Sequence, residues 1–498
     1  MSDVRDPDAR IHWATVPSRR RFVSARLAWL ATLALTPAAL GAGAESDLRL
    51  VRAAEQRDME TVRALVGSAR RPSNGTPPAP SRVVDLVSLL GARDADGTTA
   101  LHWATHWDDR EMAGVLLDAG ANANATNDLG VPPLQLACAN GSAPLVDRLL
   151  SAGANPNAAV ENGETVLMTC ARTGSAAAVT SLLARGADPN AAESGGQTAL
   201  MWAAAEKRAA VVRVLLDKGA RVSARSAGGF TPLLFAARSG DLETAKILVA
   251  SGADVNETAP DGSTALVIAS SSVSAVSISD YRLVPRPGGH EAVALFLLER
   301  RAHLDRADGF GMTSLHAAVE TGKVALVSAL LNAGASPNPQ LTKGLPFRRG
   351  DYVSRAGFAG ATPFWLAAKN ADVPMMKALL AGGVDPTIPS ANGTTPFLVA
   401  AGVGQTDSRL PSEARVLEAV KFTLELGADV NSANRGGQTA IHGAASISAD
   451  TVIQYLADRG AKVDVRDKAG RTPVDVAQAI NRPRPVTAEL LRKIAAGQ

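Results

Sequence analysis

Cysteine is nearly absent. Cys138 and Cys170 are the only two in 498 residues, and neither lies in the CxxC or CxxCH spacing of a zinc, thiol-redox or haem-attachment site. Two such residues build no disulfide scaffold, and both read as small packing residues of a core. Aromatics amount to 4% of the chain. A GxxxxGKS/T phosphate loop, an HExxH helix and zinc-ligand spacings are all missing, and Gly309-Phe310-Gly311 is a fragment of a dinucleotide fingerprint without the remainder. Ser, His and Asp residues are scattered without a supporting motif. Excess charge is missing too: 51 Lys+Arg against 48 Asp+Glu leave a formal net charge of +3, which gives no footprint for nucleic acid. With 46% hydrophobic and 20% charged residues, the chain has the apolar content that a disordered polymer lacks.

Residues 1–44 differ from everything after them. A charged stretch ending in Arg19, Arg20 and Arg21 precedes an apolar run from Leu27 to Leu40 and the small residues Ala42-Gly43-Ala44. Basic region, short apolar region and Ala-x-Ala together predict an export signal cleaved before Glu45. The apolar run is about 14 residues and holds Pro37, short of the roughly 20 that span a bilayer as a helix. Ser18-Arg19-Arg20-Arg21-Phe22-Val23 resembles the twin-arginine signal, which implies a bacterial protein exported already folded; an ordinary signal with three arginines, interrupted by Arg26, fits as well. A start near Val16 is a further option. Without residues 1–44 the basic and acidic groups balance, so selectivity for a partner has to come from local patches.

What the chain has in abundance is repetition. A Gly-x-Thr segment recurs at Gly97, Gly130, Gly163, Gly196, Gly229 and Gly262 at steps of 33 residues, then at Gly311, Gly360, Gly393, Gly437 and Gly470 at steps of 49, 49, 33, 44 and 33. Thr follows two residues after the Gly at Thr99, Thr165, Thr198, Thr231, Thr264, Thr313, Thr362, Thr395, Thr439 and Thr472; Pro132 is the exception. Its hydroxyl can cap a starting helix, and the next position is Pro at Pro133, Pro232, Pro363, Pro396 and Pro473, where the first turn needs no N–H. The first helix ends near Gly141, Gly174, Gly240 or Gly322. A second, carrying an apolar stripe such as Leu242, Ala245, Leu248 and Val249, stops at a Gly such as Gly120, Gly153, Gly186, Gly219 or Gly252. Arg301 breaks that rule and predicts a strained or differently terminated end. A pair of short helices buries too little apolar area to stand alone, so the pairs must stack.

Gly97-Thr98-Thr99-Ala100-Leu101-His102-Trp103-Ala104, Gly229-Phe230-Thr231-Pro232-Leu233-Leu234-Phe235-Ala236 and Gly252-Ala253-Asp254-Val255-Asn256 closely resemble the ankyrin repeat over residues 97–498, and more loosely over 45–96. The resemblance implies an all-α solenoid of about twelve helix-pair repeats with short hairpin fingers, and a concave face that binds other proteins. On this reading residues 1–44 are the export signal, 45–96 a degenerate N-terminal capping repeat and Pro-rich loop, 97–469 ten repeats, and 470–498 a C-terminal capping repeat. Insertions lie near residues 273–289, 339–358 and 403–415. The resemblance also makes His102, His316 and His442 structural hydrogen-bonders. His102 and His106, four apart with Asp109 nearby, could share a helix face as metal ligands, but the repeat already accounts for His102; no metal and no cofactor are expected.

If the resemblance holds, the exposed variable positions include Asp96, His106, Trp107, Asp128, Leu129, Asn140, Glu164, Arg172, Gln197, Glu206, Phe230 and Arg238. Trp107 and Phe230 stand out, because aromatics and Arg supply most interface hot spots. Trp103, Trp202 and Phe235 fall in the phase of packing residues and are assigned to the core. The insertion at 339–358 should lengthen a finger toward the concave side. It carries Lys343, Arg348, Arg349 and Arg355 with Phe347, Tyr352 and Phe358 interleaved, which suits an acidic or aromatic-rich protein surface or is a solvated loop. The partner-binding candidates are therefore His106, Trp107, Arg172, Glu206, Phe230, Arg238, Phe347, Arg348, Arg349 and Tyr352. The expected molecule is a monomeric, non-enzymatic scaffold, periplasmic or secreted, with no membrane span after cleavage and with another protein as partner. The alternatives are a secreted effector or anti-toxin-like protein acting on a host or competitor target, and an enzyme with a site in an insertion loop.

Overall fold

The first-helix starts behave as the Thr and Pro positions dictate. In the computed structural model, which describes residues 47–70, 86–271, 289–343, 358–405, 410–479 and 484–497, the side chains of Thr99, Thr198, Thr231, Thr313, Thr362, Thr395 and Thr472 each accept the backbone N–H three residues on. That bond satisfies one of the donors a helix start leaves open. Pro132 has no hydroxyl, and the helix Pro133–Asn140 begins without a side-chain cap. The proposed export segment, the Pro-rich loop after Arg70 and parts of the insertions, including Phe347, Arg348, Arg349 and Tyr352, lie outside the described residues.

The described residues fold into 25 helices and no strand, with only isolated bridges such as Ala159 with Thr165 and Ala433 with Thr439 at the finger bases. They form two compact units, Met1–Cys170 with Thr180–Ala187, and Ala171–Val179 with Asp188–Gln498. In the first unit the helix Ala100–His106 packs on Arg49–Glu55 and on Pro133–Asn140, while Arg110–Asp118 packs on Met59–Arg70 and Ala143–Ser151. In the second unit the first helices Ala199–Ala205, Pro232–Ser239, Ala265–Ser271, Ser314–Glu320, Pro363–Lys369, Pro396–Ala400, Ala440–Ile447 and Pro473–Ala477 stack in order, and the second helices stack beside them. Each core is therefore a continuous stripe of buried Leu, Val and Ala, exemplified by Leu116 and Leu149 in the first unit and Leu215, Leu248 and Leu297 in the second.

Helix ends explain the glycines. Second helices stop in left-handed residues such as Gly252 at φ 94, and Arg301 takes the same conformation at φ 60 because the chain reversal demands it whatever residue stands there. The turn between paired helices needs a left-handed residue as well. Gly141, Gly174, Gly240 and Gly322 supply it, and elsewhere Asp108, Lys207, Ala371 and Ser448 adopt it. Lys207 is exposed, so Lys207→Gly relieves backbone strain and loses little packing; its stability, read from the urea midpoint, should rise by about 0.5–1 kcal/mol. An unchanged or lower midpoint would show that the Lys207 side chain stabilises the turn.

Two hydrogen-bond ladders run across the repeats. Asn190 Nδ2 donates to Gly219 O at 3.0 Å and its Oδ1 accepts Arg221 N at 2.8 Å; Asn124 does the same toward Gly153 and Asn155, and Asn431 toward Gly460 and Lys462. At the finger tips, Asp128 N donates to Asp96 O in the first unit, and Ala227 N to Gly195 O, Ala391 N to Ala359 O and Lys468 N to Gly436 O in the second. The corresponding link to Gly228 is impossible, because Pro260 has no N–H.

The cysteines correct the sequence reading. Both are wholly buried, as expected of core residues, but Cys138 and Cys170 form a disulfide across successive first helices of the first unit, with Cα atoms 4.5 Å apart. Stacking of repeats sets residues of nearly equal phase against each other, so a separation of 32 residues is a contact distance here.

Candidate functional site

The candidate side chains lie at the C-terminal ends of first helices and on the fingers. In the first unit, Trp107 follows the helix Ala100–His106 and is 40% exposed. Its ring stacks with Trp103 at 6.2 Å between centroids, and the His106 ring stands edge-on to both, at 4.7 Å from Trp107 and 5.7 Å from Trp103. The i,i+4 spacing of the two indoles on one helix makes this possible. Trp107 Nε1 donates to Glu55 O at 3.2 Å, and the Arg57 guanidinium lies 6.0 Å from its ring. Trp103 Nε1 donates to Asp94 Oδ2 at 3.3 Å. Burial and the neighbouring Asp96 carboxylate push Asp94 up to about 6. Asn140 closes the patch from the next repeat by donating to Thr105 O and His106 O at 2.8 and 3.1 Å. Leu129, 70% exposed, stands on the finger.

In the second unit the Arg172 guanidinium lies 5.5 Å from the Trp202 ring, close enough for a cation–π contact. Arg208 Nε donates to Arg172 O at 3.1 Å. Phe230 on the finger meets Phe235 of the following helix at 6.0 Å. Arg238 is exposed, its carbonyl accepting His290 Nε2 at 3.0 Å, and Glu206 is half-buried at the end of its helix. Trp202 Nε1 is enclosed without an acceptor.

Sequence reasoning named His106, Trp107, Arg172, Glu206, Phe230 and Arg238, and each lies at a first-helix end or on a finger. It assigned Trp103, Trp202 and Phe235 to the core. Phe235 is buried, but Trp103 and Trp202 are only half-buried and belong to the open face. At this position, six after the repeat's Gly, Leu136 and Ile268 are half-buried too while Phe235, Leu366 and Val399 are buried, so it is a half-slot in some repeats and closed in others. An indole is too large for that half-slot to cover. The three histidines fit their expected structural role: His102 Nδ1 faces Thr99 and its Nε2 reaches Val131 O in the next repeat at 3.0 Å. Among the described residues no cluster of His, Cys, Asp or Glu could hold a metal ion, and no helix is long and apolar enough to cross a membrane.

Models of ankyrin repeats match this chain over residues 49–159, 134–226, 228–259, 280–331 and 359–391. It is 30% identical to "Putative ankyrin repeat protein YahD" of Escherichia coli over 205 residues, 40% of this chain and 89% of that protein. It is 25% identical over 195 residues to "Putative palmitoyltransferase ZDHHC13" of Danio rerio, 38% of this chain and 26% of the relative. To the human "B-cell lymphoma 3 protein" it is 31% identical over 174 residues, about a third of each chain. The chain thus spans about a quarter of the zebrafish relative, and smaller shares, 5% and 3%, of human "Rabankyrin-5" and of the Drosophila "E3 ubiquitin-protein ligase Ufd4".

Proposed function

Because the chain belongs to the ankyrin-repeat family, we propose that it is a non-enzymatic scaffold that binds another protein through its first-helix ends and fingers. The observation that carries this reading is the aromatic patch of Trp103, His106 and Trp107, a partly open indole cluster held in place by Asp94, Glu55 and Asn140. Aromatic anchors with a fixed geometry lose little side-chain freedom on docking, and they dominate interface energetics. The Arg172–Trp202 pair and Phe230 offer the second unit the same kinds of anchor. The insertion at 339–358, whose sequence holds Phe347, Arg348, Arg349 and Tyr352, is a further candidate for partner contact in this proposal.

Export belongs to the same proposal. The signal-like residues 1–44 support it, and so does the Cys138–Cys170 disulfide, since such bonds persist in oxidising compartments. On this reading the protein works in the periplasm or outside the cell.

A crosslinking capture from envelope extract tests the function. Residues 45–498 should enrich one protein, and a variant carrying Trp107→Ala, Arg172→Ala and Phe230→Ala should retain a tenth of it or less, since truncating a single hot-spot residue costs about 2 kcal/mol or more. Full retention by the variant, with its helix content unchanged, would put the contact elsewhere.

A further inference from the structure

We propose that the Cys138–Cys170 disulfide is an oxidation-dependent latch on the aromatic patch of the first unit. The repeat starting at Gly130 is the one whose first helix lost its Thr cap. Pro133–Asn140 starts on Pro132 with no side-chain cap, and the second helix Ala143–Ser151 starts on Ser142, whose buried hydroxyl has no partner. Its finger also lacks a tie made by the preceding one: Asp128 N donates to Asp96 O, but no hydrogen bond joins Glu161 N to Leu129 O. Gln135 Oε1 is a further buried oxygen without a partner. A repeat array is only as continuous as its weakest interface, and this repeat lacks the Thr cap that Thr99 and Thr165 give the first helices on either side and leaves two buried oxygens unpartnered.

What it has instead is the covalent bond, which joins Pro133–Asn140 to the next first helix, beside the hydrogen bond from Gln135 Nε2 to Thr169 Oγ1. The same short helix reaches the patch from its other end, where Asn140 holds the Thr105 and His106 carbonyls just before Trp107. Cys138 and Asn140 are two residues apart, so the restraint on one is passed along one rigid turn to the other. Losing the bond frees an eight-residue helix that has no side-chain cap at its start, and the patch loses its clamp with it.

Closing the latch removes two electrons and two protons from the two thiols as Sγ–Sγ forms. A small-molecule or protein disulfide takes them up and leaves as two thiols. Both sulfurs are fully buried, so the exchange takes place while this repeat is open, during folding or in local unfolding. The consequence for binding rests on the scaffold reading; the structural latch does not.

Hydrogen exchange of the full chain, oxidised and then reduced with dithiothreitol, reads the latch without any partner. Amides of residues 134–140 should exchange at least tenfold faster after reduction, with those of 103–107 following, while residues 311–497 keep their rates. The first melting transition should fall by about 8 °C, the scale expected for opening a loop of this length. Cys138→Ser with Cys170→Ser should match the reduced chain, and Pro132→Thr added to that pair should recover part of the protection. Equal exchange in oxidised and reduced chains, or two titratable thiols in protein purified under air, overturns the proposal. Partner capture is a separate readout: no capture in either form, with the exchange difference present, counts against the scaffold reading and leaves the latch standing.

Discussion

His316→Leu should cost the second unit about 3–5 kcal/mol, read as a drop in its urea midpoint. The imidazole is fully buried, its Nδ1 facing the backbone N–H and hydroxyl of Thr313, and its Nε2 donating to Ala361 O at 3.2 Å. Ala361 O can only accept, which assigns the proton to Nε2 and leaves Nδ1 as the acceptor for Thr313 N. Leucine fills similar volume and leaves that N–H unsatisfied, at a cost of roughly 1–3 kcal/mol for each buried group so stranded. The imidazole's half of the capping box and the bond between repeats go together.

The same residue predicts a pH dependence. Burial pushes His316 down to about 4, against about 6.5 in an unfolded chain. Between those values the unfolded chain binds a proton that the folded one excludes. Stability is therefore complete above pH 6.5 and falls as pH drops toward 4, by up to about 3 kcal/mol from this group. His442 is lowered by burial in the same direction, whereas Asp308 is raised by burial and acts in the opposite sense. His316→Leu should therefore flatten the slope of stability between pH 6.5 and 4.5. An equally steep slope in the variant would assign the acid sensitivity to other groups.

Gly196→Ala should destabilise by about 3 kcal/mol, combining about 1–2 for a left-handed alanine with overpacking of about 1–3. Gly196 has φ 72, and an added Cβ would stand 2.5 Å from Ala227 N, the atom that ties one finger to the next through Gly195 O. That neighbour is backbone and cannot rotate away. Gly219→Ala is the control: φ is 87, but nothing lies within 4 Å of an added Cβ, so the conformational cost of about 1–2 kcal/mol stands alone. Chemical denaturation of the two variants separates the terms, and equal losses would show that the finger tie adds nothing.

Much of the fold was legible because a repeat writes its local chemistry many times. Thr at the helix start, Pro after it and Gly at the stop each answer one backbone requirement, and the constant period showed where each requirement recurs. Arg301 could be named as an anomaly for the same reason. The disulfide was not read, although the signal was present: Cys138 and Cys170 are 32 residues apart, one short of a repeat, and motif spacing is the wrong test for contact in a stacked array. Trp103 and Trp202 were misassigned because phase along a helix gives a direction, not the depth of the slot that receives an indole. The broken finger tie at Pro260 depended on which backbone groups meet across repeats, which only the structure supplied. The choice among exposed positions was least legible, since burial sets the core residues while nothing in the period distinguishes a contact residue from a solvated one.

A photocrosslinking amino acid placed at position 107 and, separately, at the exposed second-helix residue Glu111 tests the central claim in a single measurement. If the protein binds its partner through first-helix ends and fingers, irradiation in the presence of the captured protein gives a covalent adduct from position 107 and none from 111. An adduct from 111 alone would contradict it and move the interface to the second-helix side.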